Sequence, residues 1–295
     1  VSGPDVLYCA PGSGLGHLNR ALAVCLELRT MEVRAQIVTN SPFAAGLARL
    51  ARFPVVGIAA ENWRADVQSF VTSVKPRLLV CDTFPRGMRG EWADGFPAPA
   101  VYMARRLKPE AVESLLGDPG WRNGIVQVIA AEELAIEHET ALVASQIPVV
   151  RLPGRIRLRP GLLPTEIPAE LERLLDSGRC SLVVHGGPAG ETAELVGIAR
   201  GYGDAVAITP WGERIDGVPG FEYYPAGNIM TRARHVVTGA GYNAMADMMF
   251  QQDRHTAVAF PRRFDDQAAR LAGRPARGQD GTKDAALAIA AALHS

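Results

Sequence analysis

Twice in this chain an apolar run breaks on a cluster of glycines and resumes with helical spacing. The first case is Asp5 to Ala10 (DVLYCA), then Pro11-Gly12-Ser13-Gly14-Leu15-Gly16, then His17 to Arg29 with Leu18, Ala21, Leu22, Cys25 and Leu28 at helical intervals. The second is Cys180 to His185 (CSLVVH), Gly186-Gly187-Pro188-Ala189-Gly190, and a helix from Glu191 to Arg200. Strand, glycine loop, helix is how a doubly wound α/β domain begins. A chain of 295 residues exceeds the usual size of one core, so two such openings predict two domains.

The stretches between fit that plan. Strands are predicted at Val33–Thr39, Val55–Ile58, Arg77–Asp82, Pro99–Ala104, Ile125–Ala130 and Ile147–Leu152, and helices at Pro42–Ala51 and Trp63–Val74, which implies a mainly parallel sheet. Pro153 to Pro168 (PGRIRLRPGLLPTEIP) sustains neither period and reads as the linker. The expected organisation is an amino-terminal domain over 1–153, a linker over 154–168, a second domain over 169–281, and a helix within 282–295 that returns to the first domain. In the second half a helix at Ala169–Asp176 and a strand at Ala205–Thr209 precede the segment His235–Gln267. That segment reads as a strand (His235–Val237), a flexible turn (Gly239–Gly241), a helix (Asn243–Phe250) and a strand (Thr256–Phe260) that delivers Asp265-Asp266-Gln267 at its carboxyl end. The loop Arg274–Gly281 leads to an alanine-rich helix, Lys283–Leu293.

Composition removes several function classes. There are 31 basic and 31 acidic residues, so no global field draws the protein to nucleic acid. Cys9, Cys25, Cys81 and Cys180 are scattered, mostly in apolar runs, as buried thiols are, which fits a reducing cytoplasm better than a disulfide framework. The six histidines lack ligand spacing and no Asp-x-Asp occurs, so no metal is expected. No run of about 18 apolar residues predicts a membrane span, and the start at Val1 lacks the pattern of a secretory signal. Arg155, Arg157 and Arg159 alternate with Ile156 and Leu158, either a patch for peripheral contact with an anionic membrane or an exposed linker strand.

The first glycine loop is neither a dinucleotide fingerprint nor a P-loop. Its glycines run G-x-G-x-G, the next strand ends in Thr39-Asn40 without an acid for a ribose, and no Gly-Lys-Ser/Thr follows. It places His17 on the first turn of a helix, where the dipole disfavours the charged imidazole and suits it to act as a base; a helix-capping histidine is the plainer reading. Asp82, ending an apolar strand, is expected at the same rim, to orient His17, to grip an acceptor hydroxyl or to cap a turn. Arg105-Arg106 is an anion contact or a solvated basic turn. In the second half, the helix start after Gly239–Gly241 suits a diphosphate.

The pattern Gly241-x-Asn243-Ala244-x-x-Asp247, then a strand, then Asp266-Gln267, resembles the donor half of the two-domain inverting glycosyltransferases that use nucleotide-diphosphate sugars, including the UDP-glycosyltransferases and the peptidoglycan N-acetylglucosaminyltransferase. The string Gly16-His17-Leu18-Asn19-Arg20 resembles both that group and the short nucleotide-sugar hydrolases of sialic-acid-like pathways. The resemblance implies an α/β fold of two Rossmann-like domains facing across a cleft (the GT-B type), with His17 as base and Asp82 beside it. It implies donor contacts from Tyr224, Ala226, Gly241, Asn243, Asp247, Asp266 and Gln267; Gly14, Gly16, Gly186, Gly187, Gly239 and Tyr242 are expected to join them, the glycines by letting backbone approach the donor. Asp247 would hold the ribose, and Asp266 with Gln267 the sugar. Two positions depart from the pattern: Gly239-Ala240 stands where many members place a histidine, and Asp247 where they place Glu.

The activity so implied is a metal-independent inverting transfer of a sugar, from a nucleotide sugar expected to be UDP-linked, to an acceptor hydroxyl of unknown identity. Hydrolysis of the nucleotide sugar and non-catalytic binding of it are the alternatives. No cofactor is expected.

Overall fold

In the computed structural model, residues 3–212, 214–274 and 278–294 are described; part of the loop expected at Arg274–Gly281 therefore lies outside them. The chain divides into two compact units. One holds the chain up to Arg157, the tripeptide Arg263–Asp265 and the chain from Asp280; the other holds Leu158–Arg262 and Asp266–Gln279.

In the first unit the chain runs β1 (Val6–Cys9), α1 (Gly16–Thr30), β2 (Ala35–Thr39), α2 (Ala44–Ala51), β3 (Val55–Gly57), α3 (Trp63–Val74), β4 (Leu78–Asp82), β5 (Ala100–Ala104), α4 (Pro109–Leu116), β6 (Ile125–Ala130), α5 (Ile136–Ser145) and β7 (Val149–Arg151). The strands form one parallel sheet in the order β3-β2-β1-β4-β5-β6-β7. Every residue of β1, β4 and β5 is buried, the expected state of central strands in a sheet covered on both faces, and the reason their sequences are apolar except for Asp82 at the end of β4. The order reverses between β1 and β4, so the loops after their carboxyl ends diverge and leave a crevice.

In the second unit α6 (Ala169–Asp176), β8 (Cys180–Val184), α7 (Ala189–Ala199), β9 (Asp204–Ile208), β10 (Gly220–Phe221), α8 (Gly227–Met230), β11 (His235–Gly239), α9 (Tyr242–Asp247), β12 (His255–Val258) and α10 (Gln267–Ala272) build a parallel sheet ordered β10-β9-β8-β11-β12. Here the reversal lies between β8 and β11. Last, α11 (Thr282–Ala292) packs against α1 in the first unit.

All four cysteines are buried free thiols. Among the described residues no helix is long and apolar enough to cross a membrane. Ile156 and Leu158 are buried, Arg155 approaches Glu132 (3.8 Å) and Arg157 approaches Asp280 (3.7 Å), so only Arg159 of the three alternating arginines is exposed.

Candidate active site

The first glycine loop is held by the strand beside it. Gly12 donates its N–H to Asn40 Oδ1 (2.6 Å), and Ser41 Oγ donates to the Gly14 carbonyl (3.1 Å), so the residues after β2 serve as loop anchors instead of ribose ligands. Gly12 has φ +145°, a conformation that favours glycine, and a Cβ there would make a tight 3.1 Å contact with His17 Cδ2. Gly14 and Gly16 are exposed with open space about them.

His17, on the first turn of α1, has a side chain 20% exposed. Its Nδ1 lies 3.6 Å from Asp82 Oδ2 and 3.4 Å from Arg20 Nη2; Nε2 makes no hydrogen bond among the described residues. Burial is the largest influence on His17 and lowers its pKa; the Asp82 charge opposes this and that of Arg20 reinforces it. To act as a base, the ring must carry its proton on Nδ1, facing Asp82, and present the Nε2 lone pair.

Asp82 is not placed to grip an acceptor. It is 1% exposed, and Arg20, reaching in from the next turn of α1, donates to it through Nη2 (2.6 Å to Oδ1) and Nε (3.1 Å to Oδ2). Burial alone pushes its carboxyl up, but the Arg20 and His17 charges outweigh that and hold it well below the usual carboxylate range. Thr83 completes the cluster, donating Oγ1–H to Asp82 Oδ1 (2.9 Å) from a left-handed backbone conformation (φ +69°) that a β-branched residue rarely adopts. Behind it the Tyr102 hydroxyl donates to the Thr83 carbonyl (3.2 Å) and lies 3.3 Å from Nε2 of the buried His138.

Arg105 is neither solvated nor open to an anion: it is 7% exposed and donates to Asp265 Oδ1 (2.6 Å). Arg106 donates its backbone N–H to Glu132 Oε1 (3.1 Å) and its Nε–H to the Glu133 carbonyl (3.0 Å), and its guanidinium lies 3.7 Å from the Glu133 carboxylate.

In the second unit, Gly186–Gly190 and Gly239–Gly241 flank the reversal between β8 and β11. The Gly239–Gly241 segment is less a turn than expected: Gly239 ends β11, and neither it nor Gly241 has a positive φ. The helix expected to reach Phe250 is α9, which ends at Asp247 and leaves Phe250 exposed. Gln267 Oε1 accepts from the Phe260 N–H (3.0 Å), and its amide nitrogen comes within 4.0 Å of a Cβ built on Gly241. Asp266 caps α10, accepting from the Ala269 N–H (3.0 Å). The Asp247 carboxyl sits 3.5 Å from a Cβ built on Gly227. Burial, with Asp247 adding to it, raises the Tyr224 phenol, so Tyr224, Asp247 and the Ala226–Gly227 backbone are neighbours. Tyr223 is core. Tyr242 is buried and Asn243 partly so. A cavity of about 310 Å³ runs along Gly186, Gly187 and Pro188 to Thr209 and Trp211.

Sequence reading passed over three residues: His185, Glu191 and Arg262. His185 Nε2 lies 2.8 Å from Glu191 Oε2, and Arg262 donates twice to that carboxylate (2.7 and 2.5 Å). The available signal was His185 standing directly before Gly186-Gly187 at a strand's carboxyl end. Among the described residues no three His, Cys, Asp or Glu side chains converge as a metal site requires.

No protein-family model matches the chain, and a search of curated proteins finds no match. Solved structures do resemble it. The spinosyn forosaminyltransferase SpnP matches with TM-score 0.60 at 14% identity, covering 100% of this chain and 91% of its own. A Listeria monocytogenes protein assigned as a UDP-N-acetylglucosamine 2-epimerase matches with TM-score 0.58 at 10% identity (100% and 88%). The spinosyn rhamnosyltransferase SpnG, solved with thymidine diphosphate, matches with TM-score 0.56 at 16% identity (98% and 92%). The chain thus has the GT-B type fold of two Rossmann-like domains that these nucleotide-sugar proteins share.

Proposed function

We propose that the protein transfers a sugar from a nucleotide-diphosphate sugar to an acceptor hydroxyl, with inversion and without a metal. The observation that carries this reading is His17: an imidazole at the carboxyl rim of the first sheet, kept neutral by burial, with Nε2 unengaged among the described residues. In a single displacement the acceptor must lose a proton as it attacks, and Nε2 is the group to take it. Asp82, the carboxylate beside His17, is enclosed by Arg20, so in this reading it orients the base and does not attack the sugar.

On the donor side, Tyr224 and Ala226 meet the base, Asp247 the ribose, the two glycine segments the diphosphate, and Asp266 with Gln267 the sugar. The grouping of Gln267 with Gly241 and of Asp247 with Gly227 supports this division. The fold is shared by two spinosyn sugar transferases, one of them solved with thymidine diphosphate, which makes UDP- and dTDP-sugars the first donors to try. His17→Ala should lower turnover by about 10²–10⁴-fold while leaving donor affinity nearly unchanged; full activity would remove His17 as base. Rapid release of free sugar with no acceptor present would instead make the protein a nucleotide-sugar hydrolase.

A further inference from the structure

The imidazole of His185 stands between the two glycine segments of the second unit. A Cβ built on Gly239 falls 3.0 Å from its Cε1 and 3.2 Å from its Nδ1; one built on Gly187 would strike its Nε2 and lie 2.7 Å from Glu191 Oε2. Neither glycine has a positive φ, so neither is required by backbone conformation. Both positions are bare because a ring from the end of β8 fills the space their side chains would take. The sheet reverses at this point, where a doubly wound fold binds its ligand.

The ring is also oriented. Glu191, in the first turn of α7, holds Nε2 at 2.8 Å, and Arg262 after β12 holds Glu191 with two hydrogen bonds. A carboxylate partner fixes the proton on Nε2, so Nδ1, which makes no hydrogen bond among the described residues, faces the Gly239 segment as a lone pair in the neutral ring and as a donor in the charged one. The side chain is 8% exposed.

We propose that His185 is a phosphate-contacting residue that takes up a proton from solvent as the donor's diphosphate binds and, keeping it on Nδ1, hydrogen-bonds to a phosphate oxygen. The proposal rests on the donor reading above. Among the described residues, the charged groups facing the ring are Glu191 from α7 and Arg262 from the segment after β12; β11 and Phe260 bring only backbone and an aromatic ring. In the empty site burial is the strongest influence and lowers the ring's pKa; Glu191 opposes it and Arg262 adds to it. A diphosphate beside Nδ1 reverses the balance by favouring the cation.

Calorimetry of UDP-glucose and dTDP-glucose binding, in buffers of differing ionisation enthalpy from about pH 6 to about pH 8.5, tests this. These diphosphate diesters do not titrate in that window, so proton uptake reports the protein. The intact protein should take up as much as one proton, with affinity falling by up to about tenfold per pH unit as pH rises. His185→Gln should bind more weakly, without uptake and without pH dependence. Glu191→Gln, which retains the ring, should move the dependence to lower pH. Binding by the intact protein without proton uptake, or uptake preserved in His185→Gln, would overturn the proposal while leaving the donor reading intact. Failure of the intact protein to bind either donor would bring down both.

Discussion

Arg20 Nη2 lies 2.6 Å from Asp82 Oδ1, and neither side chain reaches solvent. The pair comes from the first helix and the fourth strand of one sheet, and it forms the floor beneath His17. Removing one member leaves the other charge buried without its partner, which costs about 3–5 kcal/mol. Arg20→Met should therefore lower the urea midpoint sharply, whereas Arg20→Met with Asp82→Leu should recover most of the loss. A double variant no more stable than the single one would mean that the pair does not set the local stability.

The same pair tunes the proposed base. His17 must be neutral to accept a proton, so kcat/KM should rise with pH to a plateau, with the midpoint below the ordinary histidine value because burial lowers it. Asp82 works against that lowering, so Asp82→Asn should move the limb to lower pH still. A pH–rate profile of the two proteins checks the direction, and a shift upward would contradict the arrangement.

His138 gives a stability prediction independent of function. It is fully buried, and burial lowers its pKa to about 4. Its folded value lies below its unfolded one, so the stability linked to it is whole above about pH 6.5 and is lost as pH falls toward 4. The loss is on the order of 3 kcal/mol across that window. Urea midpoints measured against pH should show a shallower decline in His138→Gln than in the intact protein.

A fourth test concerns packing alone. Gly239→Ala places a methyl against the His185 ring and should destabilise the second unit by about 1–3 kcal/mol. In a His185→Ala background the space is vacant and the cost should largely vanish. A double-mutant cycle by urea unfolding measures this coupling, and additive effects would show that the ring does not occupy the site.

Much of the fold is legible because parallel strands are near-continuous apolar runs, and Leu78–Asp82, Ile125–Ala130 and Cys180–Val184 stand out at sight although each carries one polar residue. Helices were harder. Ile136 and Val143 of α5 are exposed, so their apolar spacing points away from the core, and α9 stops at Asp247 although Met248 and Met249 stay buried beyond it. The candidate site was legible as positions rather than partnerships. His17 and Asp82 can be placed at strand ends, but that Arg20 claims Asp82 from 62 residues away leaves no trace in local periodicity. Gly239 shows the limit best: a glycine read as flexibility is instead a strand residue whose missing side chain makes room for a ring from the neighbouring strand.

The chain passes out of its second unit for Arg263–Asp265 and back again before leaving for good at Asp280. A contiguous fragment from Leu158 to Gln279 would therefore carry a tripeptide adapted to another surface: Phe264 stripped of the core it packs against and Asp265 deprived of Arg105. Halves cut at the boundary after Arg157 should come out sticky, and anyone wishing to study the second unit by itself will need to rewrite those three residues, not merely choose where to truncate.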